Sequence, residues 1–207
     1  MSILLWILGI LLVLVCLYVL GLYFAIRASL RPFRIPIYLS PGSLGCPQQY
    51  VKIDSPLGYP VPGWWVEANS DIVCIHVHGY VMNRCELAPT AAWMYQRGIS
   101  NLLIDLGAHG TAKRPTTGLG WPERQEIIAC CEWIKQKNPN AVILLNGSSM
   151  GAAASAFAAG ERPELIDGII LDSAYNSLER AISGWWSLFG PPFLGLLMRP
   201  ANLMAKY

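Results

Sequence analysis

The sequence has 207 residues, of which 54% are hydrophobic and 14% charged, with a formal net charge of +2. That length holds one domain with a sizeable core and an appendage. The even charge balance and the lack of a basic run exclude a phosphate-backbone reader, so no nucleic-acid partner is expected.

In chain order, the first element is an uncharged run from Ile3 to Ile26. As a helix it would reach about 36 Å, enough to cross a hydrocarbon core with some tilt. No Lys or Arg precedes it, and it exceeds the apolar core of a cleaved leader. A single-pass membrane anchor is therefore expected. Arg27, Arg31 and Arg34 follow it, which predicts a cytoplasmic location for the remaining chain. The expected organisation is an anchor and basic flank over 1–34, a linker over 35–48, a catalytic-type core over 49–177 and an apolar, cap-like helical tail over 178–207.

After the Pro- and Gly-punctuated linker, "QYVKI" and "GWWVEA" read as two antiparallel strands around a turn. "DIVCIHV" is a continuous apolar run, as in a parallel strand covered on both faces. The alternation then repeats. "CELAPTAAWMYQRG" predicts a helix, "NLLIDL" a strand and "WPERQEIIACCEWIKQKN" a helix with Pro122 in its first turn. "AVILLN", "MGAAASAFAAG" and "IDGIILDS" complete a strand, helix and strand. Strands alternating with helices predict an α/β fold with a doubly wound, mostly parallel sheet. The six cysteines show no CxxC spacing and no disulfide regularity, in keeping with a reducing compartment.

Three short segments carry chemistry. Gly147-Ser148-Ser149-Met150-Gly151 fits G-x-S-x-G between a predicted strand and helix, which would put Ser149 on a strained turn with its hydroxyl above the sheet. Glycines two residues to either side allow close backbone packing, and the following helix N-terminus favours negative charge. The rival reading is a glycine-rich turn with an inert serine. His78-Gly79-Tyr80 ends the strand before the first helix, where a second oxyanion donor is expected. Tyr80 N–H and Met150 N–H are the expected oxyanion hole, with His78 and Gly79 supporting the loop. "DLGAHG", Asp105 to Gly110, closes the next strand.

In this order, "HGYVMN", "DLGAHG" and "GSSMG" resemble the α/β-hydrolase family, in particular its bacterial membrane-anchored serine hydrolases. The resemblance runs from about Gln49 to Ser177. It implies ester, thioester or amide hydrolysis through an acyl-enzyme on Ser149, a small acyl-type substrate and no cofactor. Gly107 stands where the family often has an arginine, which predicts a looser turn. The family takes its acid after the seventh or sixth strand and its histidine after the eighth. The chain is expected to stop after the sixth, so it reads as a member lacking the C-terminal third, with feeble or absent turnover.

Among the residues present, Asp172 occupies the position of an acid after the sixth strand, and it also suits a turn cap. The histidines are His76, His78 and His109. His78 reads as structural, and His109 as a poor replacement base. "HVH" is half of a metal-binding pattern, but nothing completes four ligands, so no metal is expected. Trp64-Trp65 and Trp185-Trp186 read as groove, core or membrane-interface residues. The runner-up to a weak hydrolase is a non-catalytic, membrane-bound binding module that keeps the cleft; a partner subunit supplying the missing strands is a third possibility.

Overall fold

The computed structural model describes residues 3–189, with side chains to residue 184. It divides into two compact units, one of residues 31–176 and one combining the N-terminal helix with the segment from Ser177. In the second unit, α1 spans Ile3–Ser29. Its mean hydropathy of 3.1 and 27 residues make it long and apolar enough to cross a membrane. A further helix covers Leu178–Phe189. Of the expected cap-like tail, residues 190–207 and the Trp185-Trp186 side chains lie outside the described residues.

The larger unit is built on a six-stranded sheet: β1 Gln49–Ile53, β2 Val61–Val66, β3 Ile72–Val77, β4 Ser100–Ile104, β5 Val142–Ser148 and β6 Gly168–Asp172. Their spatial order is β1-β2-β4-β3-β5-β6. β1 pairs antiparallel with β2, and β2 with β4. β3, β4, β5 and β6 run parallel. Three helices connect them: α2 Ala88–Tyr95, α3 Glu123–Lys137 and α4 Met150–Glu161.

Strand pleating divides the apolar residues between two layers. Trp65, Ile75, Leu102, Ile104, Ile143 and Leu145 pack with Ile127, Ile134 and Ala154 of α3 and α4. Trp64, Val66 and Leu103 pack on the other side with Ala88, Ala91 and Ala92 of α2. Successive side chains of one strand thus feed opposite faces, as a period of two requires. Both tryptophans of the first pair are core residues: Trp65 meets Trp133 edge-on at 5.6 Å, and Trp64 lies under the Arg84 guanidinium at 4.4 Å.

The connections fix where a site can form. From β3 the chain crosses through α2 to β4 on one side; from β4 it returns through α3 to β5 on the other side of β3. Loops leaving the neighbouring strands β3 and β5 therefore turn to opposite faces. Between them opens the crevice where α/β sheets place ligands.

Residues 31–48, expected as basic flank and linker, belong to the same compact unit as the sheet. A 3-10 turn at Gly42–Leu44 and the buried Cys46 hold the segment down, with Cys46 and Leu39 packed in the α2-side cluster. The buried cysteine is an apolar anchor in this Pro- and Gly-rich stretch.

Candidate active site

Ser149 occupies the corner between β5 and α4 with φ +48° and ψ −109°. A non-glycine residue there is strained by about 1–3 kcal/mol, and surrounding contacts must hold it. Those contacts are visible. Ser149 N–H donates to the Asp172 carbonyl at 2.8 Å, tying the corner to the end of β6. A Cβ on Gly147 would lie 2.6 Å from Ala152 Cα, and one on Gly151 would lie 2.2 Å from the Val77 carbonyl oxygen. Only glycines let α4 start this close to the ends of β3 and β5. Ser149 itself is half-buried, and Met150 N–H opens the helix.

The loop after β3 faces this corner. A Cβ on Gly79 would stand 3.5 Å from both the Ser149 Cβ and the Glu86 carboxylate. His78 is wholly buried, and both of its ring nitrogens are bonded: Nδ1 donates to the Gly79 carbonyl at 2.8 Å, and Nε2 accepts from Leu106 N–H at 3.0 Å. Burial lowers its pKa, against the nearby Asp105 charge, which keeps the ring neutral as this bonding needs. The imidazole thereby links the β3 loop to the β4 loop. Glu86 was not singled out by the sequence reading. Its carboxylate accepts from Gly79 N–H at 2.6 Å and from the Ser148 hydroxyl at 3.0 Å, bridging the β3 loop and the serine corner. No sequence pattern marks it: Gly79 lies seven positions before it and Ser148 sixty-two after.

The turn after β4 holds a difference from expectation. The space beside Gly107 is filled: a Cβ there would lie 1.9 Å from Arg114 Nε. Arg114, seven positions on, brings a guanidinium back into that place and pairs with Glu126 at 3.1 Å and with Glu123. The turn is therefore not loosened by the missing arginine. Glu126 also accepts from Gly107 N–H at 3.0 Å, and Glu123 from the N–H groups of Gly118 and Gly120. Burial drives Glu126 up to about 7, with Arg114 opposing. Burial also works to raise Glu123, but Arg114 and its hydrogen bonds outweigh it and hold the carboxyl below the usual range. In sequence these acids stand out only as charges in the first turn of α3. Ala108, inside the "DLGAHG" turn, adopts φ +67°.

Asp105 accepts from Arg84 N–H at 2.9 Å and Thr111 N–H at 2.7 Å, so it fastens this turn to the segment before α2. Asp172, the candidate acid, is exposed at the end of β6, and its carboxylate accepts from the Ser173 hydroxyl at 2.8 Å. No hydrogen bond joins it to a histidine among the described residues. His76 lies between two amides, Asn101 at 2.8 Å and Asn146 at 3.1 Å, with its pKa pushed down by burial to about 4. Both nitrogens are occupied, so the "HVH" pair does not present a ligand set. His109 is buried with Nδ1 bonded to the Gly107 carbonyl at 2.8 Å, and its Nε2 has no hydrogen-bond partner. Burial and the adjacent His78 lower its pKa to about 4.

The fold has counterparts among known proteins. The family model described as serine aminopeptidase, S33 matches residues 68–205. No curated protein matches the chain. Among solved structures, an esterase of Pyrococcus furiosus superposes with a TM-score of 0.71 at 24% identity, over 84% of this chain and 69% of its own. An α/β hydrolase of a Penicillium species gives a TM-score of 0.56 at 19% identity, over 69% of this chain and 53% of its own. By the family match and the shared sheet, the chain belongs to the α/β hydrolases of the serine aminopeptidase S33 family.

Proposed function

We propose that the chain is a membrane-anchored serine hydrolase acting on esters, thioesters or amides, with Ser149 as the nucleophile. The serine oxygen bonds to the acyl carbon, and the carbonyl oxygen takes up negative charge between Tyr80 N–H and Met150 N–H. The leaving group departs with a proton, and water then releases the acid from Ser149. His78 and Gly79 hold the oxyanion loop in place. The observation that carries the reading is the positive-φ serine at the β5–α4 corner, packed by two glycines that tolerate no Cβ. The esterase likeness supports the same reaction class. The apolar helix would span the bilayer, with Arg27, Arg31 and Arg34 keeping the catalytic unit on the cytoplasmic side.

A serine hydroxyl needs a base to take its proton. His76 and His78 have no nitrogen to spare, and the acid position, Asp172, is paired with Ser173 rather than with an imidazole. This favours slow turnover, and it lends weight to a second reading in which the cleft binds without reacting. A fluorophosphonate probe separates them. Labelling of the wild-type chain, absent in Ser149→Ala, supports the hydrolase; a wild-type chain that stays unlabelled while folded supports the binding module.

A further inference from the structure

The stretch Arg31-Pro-Phe-Arg-Ile-Pro-Ile-Tyr38 has no helix or strand, yet it is fastened to the candidate site at two points. Arg34 Nη1 donates to the Gly110 carbonyl at 2.9 Å, at the end of the "DLGAHG" turn. Asn83, the last residue of "HGYVMN", donates from Nδ2 to the carbonyls of Ile35 at 3.1 Å and Pro36 at 3.4 Å. Asn83 is fully buried, and its Oδ1 accepts from Cys85 N–H at 2.9 Å, so the clasp is anchored in the core. Pro32 and Pro36 restrict the backbone of this strap and of the residues before them to extended shapes.

The strap also carries exposed apolar groups. Phe33 is 72% and Tyr38 63% exposed, and Ile37 is exposed beside them. Arg31 and Arg34 are also exposed. Two large aromatics and an isoleucine within six residues are a costly surface in water. Interleaved with arginines, they match the layer where lipid headgroups meet acyl chains: aromatic rings sit at that depth, and guanidinium groups pair with phosphate. In sequence the strap begins two residues after the end of the apolar α1.

We infer that residues 31–38 form an interfacial strap that lies on an anionic bilayer surface and braces the oxyanion loop and the "DLGAHG" turn from it. The inference rests on the membrane-anchored reading above. The occupant is the lipid surface, because the strap continues a membrane-spanning sequence and its charge is cationic. Its mechanical consequence is that two loops of the site, through Asn83 and Gly110, are held by a segment seated in the headgroup layer.

The test uses the full chain with Cys16→Ser, since the other five cysteines are buried and only Cys16 is exposed. Phe33→Cys, Tyr38→Cys and, as a control in the turn before β5 at the amino end of the parallel strands, the exposed Asn140→Cys each receive an environment-sensitive fluorophore. Each is reconstituted in phosphatidylcholine vesicles with phosphatidylglycerol and a headgroup-region spin-labelled lipid. Loss of fluorescence at 33 and 38 but not at 140, weakened by Arg31→Glu, is expected. A chain that does not float with vesicles overturns both anchor and strap. A floating chain whose label at 33 is quenched no more than at 140 overturns the strap alone. A blue-shifted but unquenched label means that protein covers the patch, and this also overturns it.

Discussion

Strands β5 and β6 lie side by side, with Ser148 opposite Asp172, yet the structure beyond their ends differs sharply. Each strand is followed by a serine at positive φ, Ser149 at +48° and Ser173 at +56°. The first corner is locked by two Cβ-intolerant glycines, a helix start and the Glu86 bridge to the neighbouring loop. The second stands at an edge of the described sheet, where Ile169, Ile170 and Leu171 are all exposed. The Ser149 corner is thus built from closely packed, multiply bonded residues. The β6 edge is open among the described residues.

This contrast can be broken at several points. The largest effect is expected from Arg114→Leu, which leaves Glu123 and Glu126 buried without their cation; unfolding by urea should show a loss of about 3–5 kcal/mol. A loss below about 1 kcal/mol would mean that the network does not hold the turn. Next comes a paired truncation. Ile143→Ala on β5 removes a fully buried side chain and should cost about 2–5 kcal/mol, whereas the exposed Ile170→Ala on β6 should cost well under 1 kcal/mol. Equal losses would erase the distinction between the two strands.

A smaller, functional effect is expected at Glu86. Glu86→Ala frees Gly79 N–H and the Ser148 hydroxyl from their common acceptor, and should slow fluorophosphonate labelling of Ser149 about tenfold. Glu86→Gln, which keeps one carbonyl acceptor, should recover part of that rate. Unchanged labelling in both variants would show that the bridge does not position the site.

The smallest effect is with pH. His76 and His109 sit near 4 when folded, and His78 is also lowered, so the folded chain binds fewer protons than the unfolded chain below 6.5. Their contribution is present above 6.5 and is lost as pH falls towards 4. Glu126, raised to about 7, acts oppositely and gains stability as pH falls from 7 towards its unfolded value of 4.5. Three groups outweigh one, so denaturation at pH 5 should show less stability than at pH 7, by the order of 1 kcal/mol. Greater stability at pH 5 would contradict the buried, neutral histidines.

Much of this was legible in the sequence because it is local. The period of the strands, Pro122 at a helix start and G-x-S-x-G between strand and helix are patterns within a dozen residues. They led to the sheet, to α3 and α4 and to the corner at Ser149. Arg114 filling the space beside Gly107, Glu86 reaching Gly79 and Ser148, and Arg84 over Trp64 were not legible. Each depends on how the fold turns side chains toward one another, and a lone charge in sequence looks the same whether solvated or buried. The clasp on the strap is invisible for a related reason: its prolines signal an extended segment, while the asparagine that holds it lies 47 and 48 positions away.

The central claim concerns Ser149 and the amides around it, and a crystal structure of the full chain after fluorophosphonate treatment tests it most directly. The account predicts a phosphonyl group on the Ser149 oxygen, with its phosphoryl oxygen within hydrogen-bonding distance of Tyr80 N–H and Met150 N–H. An adduct on another residue, or one on Ser149 whose oxygen points away from both amides, would contradict it.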